Sequence, residues 1–211
     1  MRTFMKWVAV LLVPAVFGGT ARPAEPGIPE GATVKLLLLR QKSVQKELDL
    51  GADVVKKISD FTDAQSEAAH KASGMPEAAR KEAFEKLAKQ NDKFLTDTLN
   101  AKQSKRLDQI EMQFTALTHL LKPEMIKELK LSDDQVKKFK DMQVEARKAL
   151  RDLYDSKDAG KSQKFAKLRE ETREKILAQL NADQKAKVRE LAGASFEGEI
   201  EIEDPPPEKD K

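Results

Sequence analysis

The stretch LSDDQVKKFKDMQVEARKALRDLY, residues 131–154, decides the fold. Leu131 precedes Ser132, a residue type that caps helix N-termini, and Gln135 follows three positions later. In such a capping box the Ser side chain accepts a hydrogen bond from the Gln backbone, and the Gln side chain accepts one from the Ser backbone. Apolar residues then recur at steps of three and four, which is the spacing of one helix face. The stretch therefore predicts a long amphipathic helix.

The same short pattern occurs four times in the chain. Its copies comprise Leu50, Gly51 and Val54; Leu99, Asn100 and Gln103; Leu131, Ser132 and Gln135; and Leu180, Asn181 and Gln184. The Leu stands where a hydrophobic staple would hold the chain that enters the helix. Four positions after each copy an apolar residue follows: Ile58, Leu107, Phe139 and Val188. Each copy predicts a helix start, with Gly51 as an acceptable cap in the first.

The spacing of the copies predicts an internal duplication. The first two copies are 49 residues apart, the last two are again 49 residues apart, and the two pairs are offset by 81. Other residues keep this offset, namely Lys46–Leu48 with Lys127–Leu129, and Phe84 with Phe165. Convergence on helical composition alone would not preserve such a constant interval.

The composition favours helices and argues against a nucleic-acid partner. Aromatic residues make up 5% of the chain, which is too few for a β-sandwich or barrel. The 39 Lys and Arg residues are balanced by 36 Asp and Glu residues, so the surface has no strong positive field. We therefore predict an all-α fold, an elongated array of long amphipathic helical hairpins with coiled-coil-like stripes. Helices are expected at residues 34–48, 52–72, 77–97, 101–121, 124–129, 133–157, 161–178 and 182–192.

The N-terminus, residues 1–21, has the order of a signal peptide. Basic Arg2 and Lys6 precede an apolar run from Trp7 to Phe17, and small residues lead to Ala21. We expect cleavage after Ala21 and a periplasmic protein. The apolar run is too short to span a bilayer, and no second run of spanning length follows, so no membrane span is expected after cleavage.

The mature chain divides into four predicted segments. Residues 22–33 are interpreted as a linker, 34–121 as a first helical repeat and 122–192 as a second tandem repeat. Residues 193–211 form an acidic, Pro-containing tail, in which the run 205–207 consists of three prolines. Proline cannot continue a helix, and a strongly acidic segment buries little apolar surface, so this flexible tail is expected to be either disordered or extended.

The repeated Leu-[Ser/Asn]-x-x-Gln pattern resembles the LTxxQ-motif family of periplasmic proteins, which includes Spy, CpxP and the zinc-associated ZraP. The resemblance covers residues 44–192 and is strongest at 131–135, 99–103 and 180–184. It implies a bent helical hairpin whose homodimer holds unfolded or stressed client proteins. Family members carry two motifs where this chain carries four, and the family's Thr is Ser, Asn or Gly here. One chain could thus contain what the family assembles from two.

Neither an enzyme nor a cofactor or metal site is predicted. The chain has no Cys, which excludes thiolate nucleophiles and Cys-ligated zinc. His70 and His119 lie on separate predicted helices without metal-ligand spacing. The acidic pairs 133–134 and 170–171 are explained by a helix first turn and a charged helix face. No Gly-rich phosphate loop follows a predicted strand.

Two functional hypotheses from different classes remain open. The first is a chaperone-like or stress-response module that binds non-native or envelope proteins without ATP, with clients steered by Lys56, Lys57, Lys137 and Lys138. The second is a structural or sensory envelope protein whose apolar stripes are used in its own core. A weaker third is divalent-cation binding by the acidic tail. Apolar surface that the fold leaves exposed would favour the first hypothesis, and its burial in the core would favour the second. The side chains that test this are Met75, Met112, Met125 and Met142, because exposed methionines make adaptable contacts.

Overall fold

The structure, a computed structural model, describes residues 31–156 and 160–200. Within these ranges the chain forms ten helices and no strand, which confirms the all-α prediction. The helices are α1 (Ala32–Leu39), α2 (Lys42–Glu47), α3 (Ala52–Ser73), α4 (Glu77–Thr98), α5 (Ala101–Phe114), α6 (Ala116–Leu120), α7 (Pro123–Glu128), α8 (Asp133–Asp155), α9 (Lys161–Gln179) and α10 (Ala182–Ala192). The starts of α3, α4, α5, α8, α9 and α10 coincide with the predicted positions.

The first compact unit comprises residues 31–40 and 50–98, which include α1, α3 and α4. A short turn joins α3 and α4, which pack against each other, and α1 packs against both. The rings of Phe61 and Phe94 stack in parallel with centroids 3.8 Å apart. The guanidinium of Arg40 donates to the Thr62 hydroxyl at 2.7 Å and pairs with Asp63. These contacts hold the α1 end of the helix pair together.

The second compact unit comprises residues 41–49 and 99–200, which include α2 and α5 to α10. Within it α8 packs against α9 and α6, and α10 packs against α5. One cluster of buried side chains joins α6, α8, α9 and the ends of the neighbouring helices: Leu117, Leu120, Leu129, Leu131, Phe139, Ile176 and Leu180. Two of these leucines, at 131 and 180, are the first residues of motif copies, so the motif contributes directly to the core.

Two predicted helices are interrupted. The predicted helix 34–48 breaks at Gln41, whose backbone is extended (φ −77°, ψ 127°), and the two compact units meet in sequence at this residue. The predicted helix 101–121 breaks at Thr115 (φ −117°, ψ 29°). The Thr115 hydroxyl and its backbone N–H both donate to the Glu111 carbonyl, each at 2.8 Å. A Thr side chain that competes for a helix carbonyl disfavours regular continuation of the helix.

Several predictions concern residues at the chain termini. The signal peptide at 1–21, most of the linker at 22–33 and the tail residues 201–211 lie outside the described residues. Residues 193–200, assigned to the flexible tail by the sequence, instead contact α5, and Phe196 among them is 4% exposed. Across the described residues, the helices lack the combination of length and apolar character needed to cross a membrane.

Candidate functional site

Capping boxes begin three helices at copies of the repeated motif, all within the described residues. The pairs are Asn100 with Gln103, Ser132 with Gln135, and Asn181 with Gln184. In each pair the cap side chain accepts from the Gln backbone and the Gln side chain accepts from the cap backbone, at distances of 2.9–3.2 Å. These bonds satisfy backbone donors that a helix N-terminus leaves without intrahelical partners. Local residue types thus fix where α5, α8 and α10 begin.

The first motif copy begins α3 without a capping box. Gly51 has the extended backbone of an N-cap (φ −66°, ψ 156°) but no side chain that could accept a hydrogen bond. Val54 stands where the other copies have Gln, and it is half-buried. This copy keeps the helix start while lacking the amide.

Apolar residues of the motif contribute to the core in both units. Leu99, Leu131 and Leu180 are all less than 10% exposed, whereas Leu50 is half-buried. Among the apolar residues four positions after the motifs, Ile58, Leu107 and Phe139 are at most 1% exposed, whereas Val188 is half-buried. The motif therefore combines a helix start with two core positions.

The side-chain amides of Gln135 and Gln184 bind each other. Nε2 of Gln135 donates to Oε1 of Gln184 at 2.9 Å, and Nε2 of Gln184 donates to Oε1 of Gln135 at 3.2 Å. Each Nε2 also donates to a carbonyl where a helix ends, Gln135 to Gln179 at 2.7 Å and Gln184 to Leu129 at 3.0 Å. With their capping bonds, both amides have two donated and two accepted hydrogen bonds, which satisfies them fully. The pair connects the starts of α8 and α10 to the ends of α9 and α7.

Part of this arrangement recurs 81 residues earlier. Nε2 of Gln103 donates to the Leu48 carbonyl at 3.1 Å, just as Gln184 donates to Leu129. The next residues, Asp49 and Lys130, both have a left-handed backbone, with φ of 50° and 49°. Such a residue commonly follows a helix end. The position 81 before Gln135 holds Val54, so the first copy has no paired amide.

The four proposed steering lysines are exposed in two separate units. Lys56 pairs with Asp60 one helical turn away, and Nζ of Lys57 lies 5.5 Å from the centroid of the Phe94 ring. Lys137 and Lys138 lie on the exposed part of the first turns of α8. Ion pairs between exposed side chains stabilise a fold only weakly, and attraction between exposed charges is screened by salt.

The methionines differ in exposure. Met75 is 40% exposed, Met112 is 7% exposed, and Met125 and Met142 are half-buried. Two further large apolar residues are exposed, Phe84 at 39% and Val144 at 68%. Met75 lies in the turn between α3 and α4, and Phe84 lies in the first half of α4. The large apolar side chains that the first unit leaves exposed therefore lie near the turn between α3 and α4.

The two histidines lie in different surroundings. His70 is exposed on α3, whereas Nε2 of His119 lies 3.4 Å from a carboxylate oxygen of buried Glu111. In the described part of the chain, no cluster of three or more His, Asp or Glu side chains is arranged to hold a metal ion.

Sequence reasoning missed one set of contacts. Residues 193–200 bind α5 through Arg106 and Gln113, and Phe196 contacts the ring of Phe114. The only signal in the sequence was a single aromatic residue within an acidic segment.

Comparison with protein-family models, with curated proteins and with solved structures found no match for this chain.

Proposed function

We propose that the chain is an exported, Spy/CpxP-like, ATP-independent chaperone or stress-response module that binds non-native proteins of the cell envelope. The observation that carries this proposal is the incomplete burial of α4. Its buried residues, Asn91, Phe94 and Leu95, all lie in the last eight positions of the helix. Along residues 77–90, by contrast, every described side chain is exposed or half-buried. This part of the helix offers apolar groups that the unit does not use for its own core.

The exposed apolar residues are arranged as a mixed surface. Phe84 and Met75 stand among charged side chains that include Lys81 and Lys86. Such a surface attracts a client by charge at long range and buries its apolar segments on contact. Because Met side chains adapt their shape, Met75 can contact many different sequences.

The counterpart of Phe84 supports this interpretation. The residue 81 positions later is Phe165, whose ring stacks against Phe114 with centroids 6.4 Å apart, and which is half-buried. The second unit therefore uses its aromatic residue internally, whereas the first leaves the equivalent ring accessible. An accessible aromatic ring favours binding of other chains.

The substitution pair Phe84→Ser and Met75→Ser tests this function. We expect the doubly substituted protein to suppress aggregation of a chemically unfolded test protein about fivefold less effectively, since two apolar contacts with the client are lost. Light scattering at equimolar protein measures the effect. Suppression by the unsubstituted protein should also weaken at higher salt, because salt screens attraction by the lysines.

Val144→Ser is the matched control, because Val144 is even more exposed and lies on α8 in the other unit. It should leave suppression unchanged. If the unsubstituted protein leaves light scattering unaffected at low salt, with or without zinc, the chaperone proposal is wrong.

A structural or sensory role is the second candidate. The observation that favours it is the stripe of α5, where Leu107 and Ile110 are at most 1% exposed. Apolar stripes buried to this degree serve the protein's own core. This candidate predicts no effect on aggregation of any client.

Export is proposed from the order of residues 1–21, which lie outside the described residues. Mass spectrometry of the protein from the envelope fraction should find Arg22 at its N-terminus. A soluble protein that retains Met1 would contradict export through a cleaved signal peptide.

The internal duplication remains part of the proposal and has two supports. The hydrogen bonds from Gln103 to Leu48 and from Gln184 to Leu129 are equivalent at an offset of 81, as are the left-handed residues Asp49 and Lys130. A duplication explains how one chain carries four motifs where family members carry two.

A further inference from the structure

The segment of residues 193–200, named here the C-terminal strap, lies along α5 in the second unit. It has no regular secondary structure, and Phe196 is its only large side chain that is fully buried. Ala194, Ser195, Glu197 and Glu199 are exposed. The strap thus presents its backbone and one aromatic ring to the helices.

Side chains of the helices bind the strap through its backbone. Arg106 donates to the Ala194 carbonyl at 2.7 Å, and the Gln113 amide donates to the same carbonyl at 2.9 Å. Oε1 of Gln113 accepts from the Phe196 N–H at 2.9 Å, and the Ser43 hydroxyl donates to the Glu199 carbonyl at 2.6 Å. Because backbone groups are common to all sequences, these bonds recognise an extended peptide without reading its side chains.

Backbone pairing does not hold the strap. Beyond Gly193, whose N–H donates to Arg189, residues 194–200 make no hydrogen bond to another backbone group of the described chain. In most protein segments, backbone groups pair mainly with other backbone groups. A segment held by a few side chains and one ring can separate from its site without disrupting a helix or sheet.

The ring of Phe196 is buried against an aromatic residue of α5. It meets Phe114 edge-on with centroids 6.0 Å apart, and Phe114 in turn stacks with Phe165. The guanidinium of Arg169 lies 4.3 Å above the Phe114 ring. The edge-on contact with Phe114 is one that an aromatic side chain makes and an aliphatic one does not, so the site favours an aromatic residue at this position.

The strap carries an acidic residue beside its buried ring, since Glu197 directly follows Phe196. Burial lowers the pKa of the Arg169 guanidinium from its ordinary value, while the nearby carboxylates of Glu170 and Glu197 oppose this shift. Arg106, which binds the strap carbonyl, is held in place by Glu47 at 2.7 Å. A competing peptide with the same aromatic–acidic pair therefore matches the segment that occupies the site in the structure.

We propose that this surface is a peptide-binding groove, and that the C-terminal strap is its detachable occupant. An extended segment of another polypeptide, with an aromatic residue beside an acidic one, binds when the strap leaves. The inference rests on the proposed function: the groove would be a second site at which client proteins bind, and it would prefer clients with such an aromatic–acidic pair. Because the strap is part of the same chain, its high effective concentration weakens binding of any competitor.

A labelled peptide of sequence AGASFEGEI, identical to residues 192–200, tests the groove by fluorescence anisotropy. The full chain carrying Phe196→Ala has a loosened strap and should bind this peptide at least about tenfold more tightly than the unsubstituted protein. A peptide with Ala in place of its Phe should bind about tenfold more weakly. Adding Gln113→Ala to the loosened chain should abolish binding, because Gln113 makes two of the hydrogen bonds to the strap.

A second variant loosens the strap at its start. Gly193 has φ of 64° and ψ of −158°, a backbone conformation that is nearly restricted to glycine, so Gly193→Ala strains the chain where the strap begins. It should increase peptide affinity as Phe196→Ala does, with helix content by circular dichroism unchanged in both. Equal affinity for the unsubstituted protein and both loosened variants would overturn the proposal, as would equal binding of the peptide without Phe.

Light scattering on the same proteins separates this inference from the proposed function. Aggregation suppression without peptide binding overturns the groove and leaves the chaperone proposal standing. Peptide binding without suppression supports the groove and overturns the chaperone proposal.

Discussion

Replacing Gln184 with alanine is expected to lower the free energy of unfolding by about 2–4 kcal/mol, an effect beyond that of an ordinary cap. Gln184 is 6% exposed, and its side-chain amide makes the four hydrogen bonds described above, to Asn181, Gln135 and Leu129. The substitution leaves the Asn181 N–H, the Leu129 carbonyl and the Gln135 amide without this partner in a region of low water access. Buried polar groups without partners are costly, whereas a satisfied hydrogen bond adds only modestly to stability. Urea unfolding followed by circular dichroism measures the loss.

Gln103→Ala is the matched control for this prediction. Gln103 caps α5 and binds the Leu48 carbonyl, but the position that would supply a paired amide in its copy is Val54. Its removal should cost about 1–2 kcal/mol. A double-mutant cycle with Gln135→Ala and Gln184→Ala should give a coupling energy of about 1 kcal/mol or more. Equal losses for Gln184→Ala and Gln103→Ala, with no coupling, would show that the amide pair contributes nothing.

Phe139→Ala is expected to lower the free energy of unfolding by about 3–5 kcal/mol. Phe139 has no exposed surface and lies in the cluster that joins α6, α8 and α9. Its removal opens a cavity among leucines that are held by separate helices and cannot close it without moving those helices. The loss should appear as a lower urea midpoint with an unchanged slope, because the unfolded chain exposes nearly the same surface.

Val144→Ala on the same helix controls for helix propensity. Val144 is 68% exposed, so its truncation should change stability by less than about 0.5 kcal/mol. Similar effects for Val144→Ala and Phe139→Ala would mean that the cluster does not stabilise this unit.

The helix starts could be predicted because the responsible contacts are local. Ser132 and Gln135 are three residues apart, and their reciprocal bonds form wherever the helix begins. The same holds for Asn100 with Gln103. The helix interruptions were missed for the opposite reason. Thr115 is compatible with a helix by residue type, and its effect depends on the rotamer that its surroundings select.

The exposure of apolar residues could not be derived from periodicity. Phe84 and Phe165 are 81 residues apart, which is the offset of the proposed duplication, and both fit an amphipathic pattern. The structure leaves Phe84 exposed and half-buries Phe165, since Phe114 stacks on the latter. A spacing of three and four identifies one face of a helix, but only the presence of a neighbouring element determines whether that face is covered.

By itself the sequence determined the all-α class, the starts of most helices and the residues that cap them, because these depend on interactions across three or four positions. Tertiary structure alone decided the bond between Gln135 and Gln184, which are 49 residues apart. It also decided the attachment of the strap, whose Glu199 carbonyl is bound by Ser43 from 156 residues away. Such contacts require helices to be brought together against the conformational entropy of the intervening chain, and the burial of apolar surface that brings them together is a property of the whole fold.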